Sequence, residues 1–93
     1  MALMLTPKIE TELRAIVLEL VGAVRGRGSI GPADVARKFR GDDWPRWMDT
    51  VKEVARKMDA EGLIEATRHG KPTSWPWRGV IRFRSPRAAG DAQ

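Results

Sequence analysis

The chain has 93 residues, which is enough for one small domain with a single core. Hydrophobic residues make up 42% of it and charged residues 31%, and no apolar run approaches the roughly 18–20 residues that a membrane-spanning helix needs. Cysteine is absent, so disulfides and thiolate metal sites are excluded. Residues 1–5 (MALML) lack the basic leader and cleavage region of a signal peptide. We therefore expect a cytoplasmic protein without membrane association.

The net charge of +5 is concentrated late in the chain. Residues 1–30 carry +1 and residues 31–62 carry zero, whereas residues 63–93 hold six basic and two acidic side chains, a net charge of +4. A phosphate-binding surface in the last third would produce this asymmetry. A basic tail that serves solubility would produce it as well, so charge alone leaves both interpretations open.

The first helix is predicted to open at Thr6 and Pro7, with Thr6 as the N-cap and Pro7 at the first helical position. Residues 25–28 (RGRG) end it, because glycine accepts the left-handed conformation of a helix terminus. One continuous apolar face at helical spacing should anchor the core. It consists of Ile9, Leu13, Ile16, Val17, Leu20, Val21 and Val24.

Two further helices are predicted. Gly31-Pro32 starts a short second helix, and Trp44-Pro45 starts the third, because proline fits the first helical position and forces the preceding residue out of helical geometry. The second helix turns Val35, Ala36 and Phe39 inward. The buried stripe of the third helix consists of Trp47, Val51, Val54, Ala55 and Met58.

Strands follow the helices. Residues 63–68 alternate with Ile64 and Ala66 inward, residues 69–72 form a turn, and residues 80–84 alternate with Ile81 and Phe83 inward. Ser29-Ile30 fits a brief additional strand. This order predicts an α+β winged helix-turn-helix, with three helices and a small antiparallel β-hairpin wing, over residues 6–84. Residues 85–93 show no periodicity and are predicted to be a disordered tail.

Several stretches of this pattern resemble a small bacterial winged-helix family known only as domain of unknown function 3253. They are residues 30–37 (IGPADVAR), Trp47-Met48 with Val51, Val54 and Ala55, residues 61–67 (EGLIEAT), residues 70–72 (GKP) and residues 79–82 (GVIR). The resemblance covers roughly residues 8–84. One departure is Val80, where the family commonly has a proline before the Ile-Arg pair, and this loosens the predicted entry to the last strand. The resemblance implies the fold and implies no activity.

No motif in the chain predicts catalysis or a cofactor. Residues 26–31 (GRGSIG) have the spacing of a dinucleotide-binding fingerprint, but they follow a helix rather than a buried strand, so we interpret them as a helix end and turn. Asp42-Asp43 precede a helix and suit its dipole. The single histidine, His69, lies at the tip of a turn, and it is the only residue that would support the hypothesis of a hydrolase. We expect a non-enzyme without metal or cofactor.

The third helix supplies the first candidates for contact with nucleic acid. Arg46, Thr50, Arg56 and Lys57 are the residues expected to face a DNA groove. Asp49 and Glu53 lie in the middle of the same face, and their carboxylates repel phosphate. A solvated face with intrahelical ion pairs is the alternative, and it weakens specific base reading more than binding itself.

The hairpin supplies the second set of candidates, Arg68, Lys71 and Arg78, with Arg82 and Arg84 beside them. About four or five phosphate contacts would give a log–log salt slope of roughly −4. Charges that protect a strand edge from aggregation are the alternative. Together with the helix, this wing predicts binding of duplex DNA, mainly through phosphates and with weak sequence preference.

Trp75-Pro76-Trp77 interrupts the hairpin with two indoles around a proline. Such a pair can form a hot spot for a protein partner or a stacking platform for an unpaired base. It can also fold back and cover the open end of a small core. The pair therefore supports the alternative function, a protein–protein interaction module that uses Trp75 and Trp77.

Overall fold

The computed structural model of the protein describes residues 5–24 and 28–86. Its architecture is mixed α+β, with helices packed against a small three-stranded antiparallel sheet. The predicted helix end at residues 25–27, the start of the chain at residues 1–4 and residues 87–93 of the predicted tail lie outside the described residues. The elements in order are α1 (Pro7–Val24), α2 (Pro32–Arg40), a 3-10 helix (Gly41–Trp47), α3 (Met48–Ala60), β1 (Glu65–Arg68), β2 (Lys71–Pro72) and β3 (Arg82–Arg84).

Helix α1 begins as predicted. The Thr6 side-chain oxygen accepts a hydrogen bond from the Ile9 backbone N–H at 3.2 Å, which satisfies one of the unpaired donors of the first turn. The predicted apolar face is buried along its centre, at Leu13, Val17 and Val21. Its last predicted member, Val24, is exposed because the core ends one turn earlier.

Helix α2 also begins where predicted, after Gly31. The Asp34 carboxylate accepts a hydrogen bond from the Gly31 backbone N–H at 2.8 Å and so closes the first turn. Val35, Ala36 and Phe39 face inward, as expected from the spacing.

The predicted start of the third helix at Trp44-Pro45 is wrong. Residues Gly41–Trp47 form a 3-10 helix, and α3 begins only at Met48. Short 3-10 turns are frequent at the N-termini of α-helices. Here the tighter turn places Trp47 edge-on against Phe39, with ring centroids 5.1 Å apart, while Asp43 accepts a hydrogen bond from the Trp47 indole N–H at 3.2 Å. The predicted buried stripe from Trp47 to Met58 is confirmed.

The sheet has the order β2-β1-β3. A two-residue turn at His69 (φ 54°) and Gly70 (φ 78°) joins β1 to β2. Both residues have positive φ, which is the geometry of the tight hairpin turns that match strand twist. Ile30 and Phe83 exchange two backbone hydrogen bonds, of 2.8 and 2.7 Å, which confirms the brief strand at Ile30 as a single-residue bridge.

The strand boundaries differ from prediction in three ways. Strand β1 starts at 65 rather than 63, the last strand starts at 82 rather than 80, and the predicted turn contains the short β2. Thr67 alternates with the inward-facing Ala66 and is therefore predicted to face outward, but it is 2% exposed, and its hydroxyl donates to the Arg82 carbonyl oxygen at 3.5 Å.

The core lies between the three α-helices and the inner face of the sheet. Its largest fully buried side chain is Phe83, and Ile64, Ala66 and Ile81 bury the strand side as predicted. Within residues 5–24 and 28–86, none of the helices combines the length and the apolarity needed to cross a membrane.

Candidate nucleic-acid interface

A groove of about 340 Å³ lies where the start of α2, the first half of α3 and residues 79–82 meet. Three cationic side chains line it, Arg37 from α2, Lys52 from α3 and Arg82 from β3. Asp34 is the only carboxylate among its described lining residues, and this carboxylate is engaged with the Gly31 N–H. We call this feature the basic groove, and its charge favours an anionic ligand.

Arg82 is held in place at the edge of the basic groove. Its Nε donates to the Ser29 hydroxyl at 3.2 Å and its Nη2 donates to the Ser29 carbonyl oxygen at 2.9 Å. Its Nη1 lies 3.2 Å from the position that a Cβ on Gly31 would occupy, so glycine there lets the guanidinium approach the backbone. Neither partner is a carboxylate, so the charge of Arg82 is positioned without being neutralised.

The other walls of the basic groove combine charge with apolar surface. The Arg37 guanidinium lies over the Trp44 ring, 4.5 Å from its centroid, a cation–π contact that orients the side chain. Met48 is half-buried, and Val80 is 74% exposed at the rim. A ligand in the groove would therefore meet cations at its edges and apolar side chains between them.

The predicted hairpin cations continue from the basic groove. The Arg68 guanidinium packs on Gly79, with Nε 3.2 Å from the position of an added Cβ, and Gly79 itself lines the groove with φ 74°. Arg78 precedes Gly79 in the chain, and Lys71 is the register partner of Arg68. All three predicted cations are exposed, and within residues 5–24 and 28–86 no carboxylate forms an ion pair with them.

The outward face of α3 is less basic than its sequence suggests. Arg56 forms an ion pair with Glu53 through two hydrogen bonds, which lower the pKa of Glu53 and raise that of Arg56. Asp49 is exposed on the same side. With Arg56 paired and the Asp49 carboxylate exposed, these residues give the outward face of α3 no net positive charge.

Lys57 belongs to a network between α1 and α3. Its Nζ lies 2.8 Å from a Glu10 carboxylate oxygen, and Arg14 bridges the other Glu10 oxygen at 2.8 Å and Glu61 at 2.7 and 2.9 Å. Hydrogen bonds from Lys57 and Arg14 lower the pKa of Glu10, and the Arg14 guanidinium lowers that of Glu61. Lys57 therefore joins two helices, and its charge is already compensated.

The last two candidates from the third helix differ in access. Thr50 is 1% exposed, so its side chain is buried in the core and is removed from the candidate set. The sequence predicts that Thr50 faces a DNA groove, but its burial shows that it belongs to the core side of α3. Arg46 is exposed in the 3-10 helix, 3.5 Å from Asp43 and 5.8 Å from the Trp47 ring centroid.

The two loop tryptophans have different environments. Trp77 is partly buried against Phe83, with ring centroids 5.4 Å apart, as expected for an indole that covers the core. Trp75 is 50% exposed and meets Trp77 edge-on at 5.1 Å. The Arg56 guanidinium lies 5.7 Å from the Trp75 ring centroid. Only Trp75 therefore offers a large open aromatic surface.

The residues considered for catalysis are not brought together. His69 is exposed at the β1–β2 turn, while Asp42 and Asp43 lie in the 3-10 helix. No group of three or more histidine, aspartate or glutamate side chains in residues 5–24 and 28–86 is arranged to hold a metal ion. The arrangement can bind an anionic chain by charge and apolar contact, and among the described residues no hydrogen bond or ion pair links His69 to an acid or a base.

Sequence reasoning missed Arg37 and Lys52 and treated Arg82 only as part of the hairpin charge. Both of the first two line the groove that α2 and α3 form with residues 79–82, and periodicity does not reveal which side of an exposed helix face meets another element. Gly79 could have indicated the groove from the sequence, because a glycine just before a strand often marks a place where other groups come close to the backbone.

Fold and site together define a small α+β domain with a basic groove between its helices and its sheet. The chain belongs to the family described as Protein of unknown function (DUF3253), whose model matches residues 10–86. Among curated proteins, none is similar enough in sequence to count as a match.

Proposed function

We propose that this protein is a winged-helix domain that binds duplex DNA without catalysis, chiefly through its phosphates. The element order supports this architecture, because the Ile30 bridge, β1 and β3 would form the sheet and residues 69–81 the wing. In such domains the second and third helices and the wing face the nucleic acid together. The basic groove lies where these three parts meet.

The observation that carries the proposal is the run of uncompensated cations on that surface. Arg37, Lys52 and Arg82 line the groove, and the wing cations extend it through the contact of Arg68 with Gly79. Contact with about five phosphates corresponds to a log–log salt slope of about −4 to −5. Because the outward face of α3 presents Asp49 and the Glu53–Arg56 pair, base reading is weak and phosphate contact dominates.

A protein-interaction module is the second candidate, favoured by the 50% exposure of Trp75. Only one of the two loop indoles is available for it, because Trp77 packs against Phe83. Interfaces gain most from anchors surrounded by contacts that exclude water. One exposed tryptophan, beside an arginine that is already paired with Glu53, is a weaker argument than the unpaired cations that line the groove, so DNA binding remains the proposal.

The test uses fluorescence anisotropy of a labelled 20-base-pair duplex at a series of salt concentrations from about 50 to 200 mM. Lys52→Met and Arg37→Met keep the apolar stem and remove one charge each. Each variant should weaken binding about fivefold at 150 mM salt and make the salt slope shallower by about 0.9. Lys8→Met removes an exposed charge on α1, outside the groove, and serves as the matched control.

Two outcomes contradict the proposal. One is the absence of binding at 50 mM salt, and the other is a loss in Lys8→Met as large as that in Lys52→Met. The second result would mean that net charge rather than the groove attracts DNA.

A further inference from the structure

Residues 73–81 form a loop that lies along one side of α3. Its later end, at Gly79 and Val80, lines the basic groove with Met48 and Lys52. Its earlier end, at Trp75, lies beside Arg56. Arg56 follows Lys52 by four positions and therefore lies on the same side of α3. Residues four apart on a helix are separated by about 6 Å along its axis. Arg56 therefore lies about one helical turn beyond Lys52, and Trp75 lies beside Arg56.

Trp75 is fixed in its position by two contacts. Its ring meets Trp77 edge-on at 5.1 Å, and Trp77 in turn packs on the buried Phe83. The Arg56 guanidinium lies 5.7 Å from the Trp75 centroid and is itself held by Glu53. The indole is thus supported from the core side and remains 50% exposed. Little conformational freedom remains to be lost when a planar group stacks on it.

A flat aromatic surface can stack a base, and a basic groove can bind phosphates. The two features together fit a nucleic acid in which a duplex continues into a single strand. We infer that Trp75 stacks an unpaired base next to the duplex bound in the basic groove, so that the preferred ligand is a duplex with a single-stranded end. This inference rests on the proposed function. One strand of a duplex rises by about 3.4 Å of helix axis per phosphate, so one turn of α3 corresponds to about two nucleotide steps.

The charges next to Trp75 are largely compensated. Arg56 lies over the Trp75 ring and is paired with Glu53, so it supports the ring, and the phosphate contacts fall to the cations of the basic groove. The carboxylates in the adjacent cleft are Asp59 and Glu65, and Glu65 is bound by Arg84 at 2.7 Å.

The experiment compares two labelled DNAs in anisotropy titrations of the full chain at 50 mM salt. One is a blunt duplex, and the other is the same duplex with a four-nucleotide overhang at either the 5′ or the 3′ end. Stacking of one base should make the overhang DNA bind about tenfold more tightly. Trp75→Ala should remove this preference and leave the affinity for blunt duplex unchanged. Leu18→Ala, which removes an exposed apolar side chain on α1 outside the basic groove, should keep the preference.

Trp75→Phe supplies an independent readout. The phenyl ring still stacks, so most of the preference should remain, while the fluorescence quenching that the overhang DNA causes in the parent protein should be lost. Absence of binding to either DNA would overturn both the inference and the proposed function. Equal affinity for the two DNAs, or a preference that survives in Trp75→Ala, would overturn the inference alone. In that case the exposed ring would belong to a protein contact or to solvent.

Discussion

Truncation of Phe83 tests whether the last strand holds the domain together. Phe83 is 0% exposed, lies between Ile30 and Ala66 in the sheet, and supports Trp77 from below. Phe83→Ala leaves the backbone hydrogen bonds available and removes only the ring. The variant therefore isolates the packing contribution of one side chain at the junction of core, sheet and loop.

The expected loss follows from the burial. A phenylalanine side chain removes about 150–250 Å² from water, which at about 25 cal/mol per Å² corresponds to about 4–6 kcal/mol. Measured losses for buried phenylalanine-to-alanine changes are about 3–5 kcal/mol, because alanine keeps its Cβ and the cavity partly relaxes. A domain of this length has a total free energy of unfolding of about 5–14 kcal/mol. We expect a decrease in Tm of at least about 12 °C.

Urea unfolding, followed by far-UV circular dichroism and by tryptophan fluorescence, measures this loss. The two signals should give one midpoint, and the m-value should match that of the parent protein. Leu18→Ala truncates a side chain that is 46% exposed on α1 and should cost less than about 1 kcal/mol. A loss below about 1.5 kcal/mol for Phe83→Ala would refute the conclusion that β3 is part of the core.

Three further outcomes are expected. Asp34→Asn keeps the acceptor that closes the first turn of α2 but removes the only groove carboxylate among the described residues, so affinity for duplex DNA should rise several-fold in anisotropy titrations; a fall would contradict the groove assignment. In Gly79→Ala the added methyl group is strained by the positive φ and contacts the Arg68 guanidinium, so the variant should lose about 1–2 kcal/mol in urea unfolding and should also bind DNA more weakly. Gly41 also has a positive φ but open space around it, so Gly41→Ala should lose stability and keep its DNA affinity. The pKa of Glu61 is lowered in the folded state, so its contribution to stability is complete above its ordinary value of 4.5 and disappears as pH falls through the folded pKa. Glu61→Gln should therefore lower Tm at pH 7 and lower it progressively less as the pH falls below 4.5, and a decrease that does not change with pH would refute the ion-pair contribution.

Local pattern was sufficient to predict much of the fold. Apolar spacing and the Thr6 and Gly31 signals located α1 and α2, and alternation located β1 and β3, because each of these depends on neighbours close in sequence. The 3-10 helix at Gly41–Trp47 was missed, since proline is equally compatible with the first turn of an α-helix. What distinguishes the two is the contact of Trp47 with Phe39, which only the folded chain supplies.

The candidate site was harder to predict for the same reason. Net charge in the last third drew attention to Arg68, Lys71 and Arg78, and these are exposed and without described ion pairs. Charge counting cannot show that Lys57 is compensated by Glu10, 47 positions away in the chain. Nor can it show that Lys52 reaches the side of α3 where residues 79–82 pass.

The bridge between Ile30 and Phe83 also sets the order in which the domain can be completed during synthesis. It joins two residues separated by more than half of the chain, and such distant pairings form late because a long loop must close first. The helices can form and begin to pack while the ribosome is still adding residues. The third strand of the sheet, and the Arg82 guanidinium that donates to Ser29, are both supplied by residues 82–84. A nascent chain that stops before Arg82 therefore has helices but neither a closed sheet nor a complete groove.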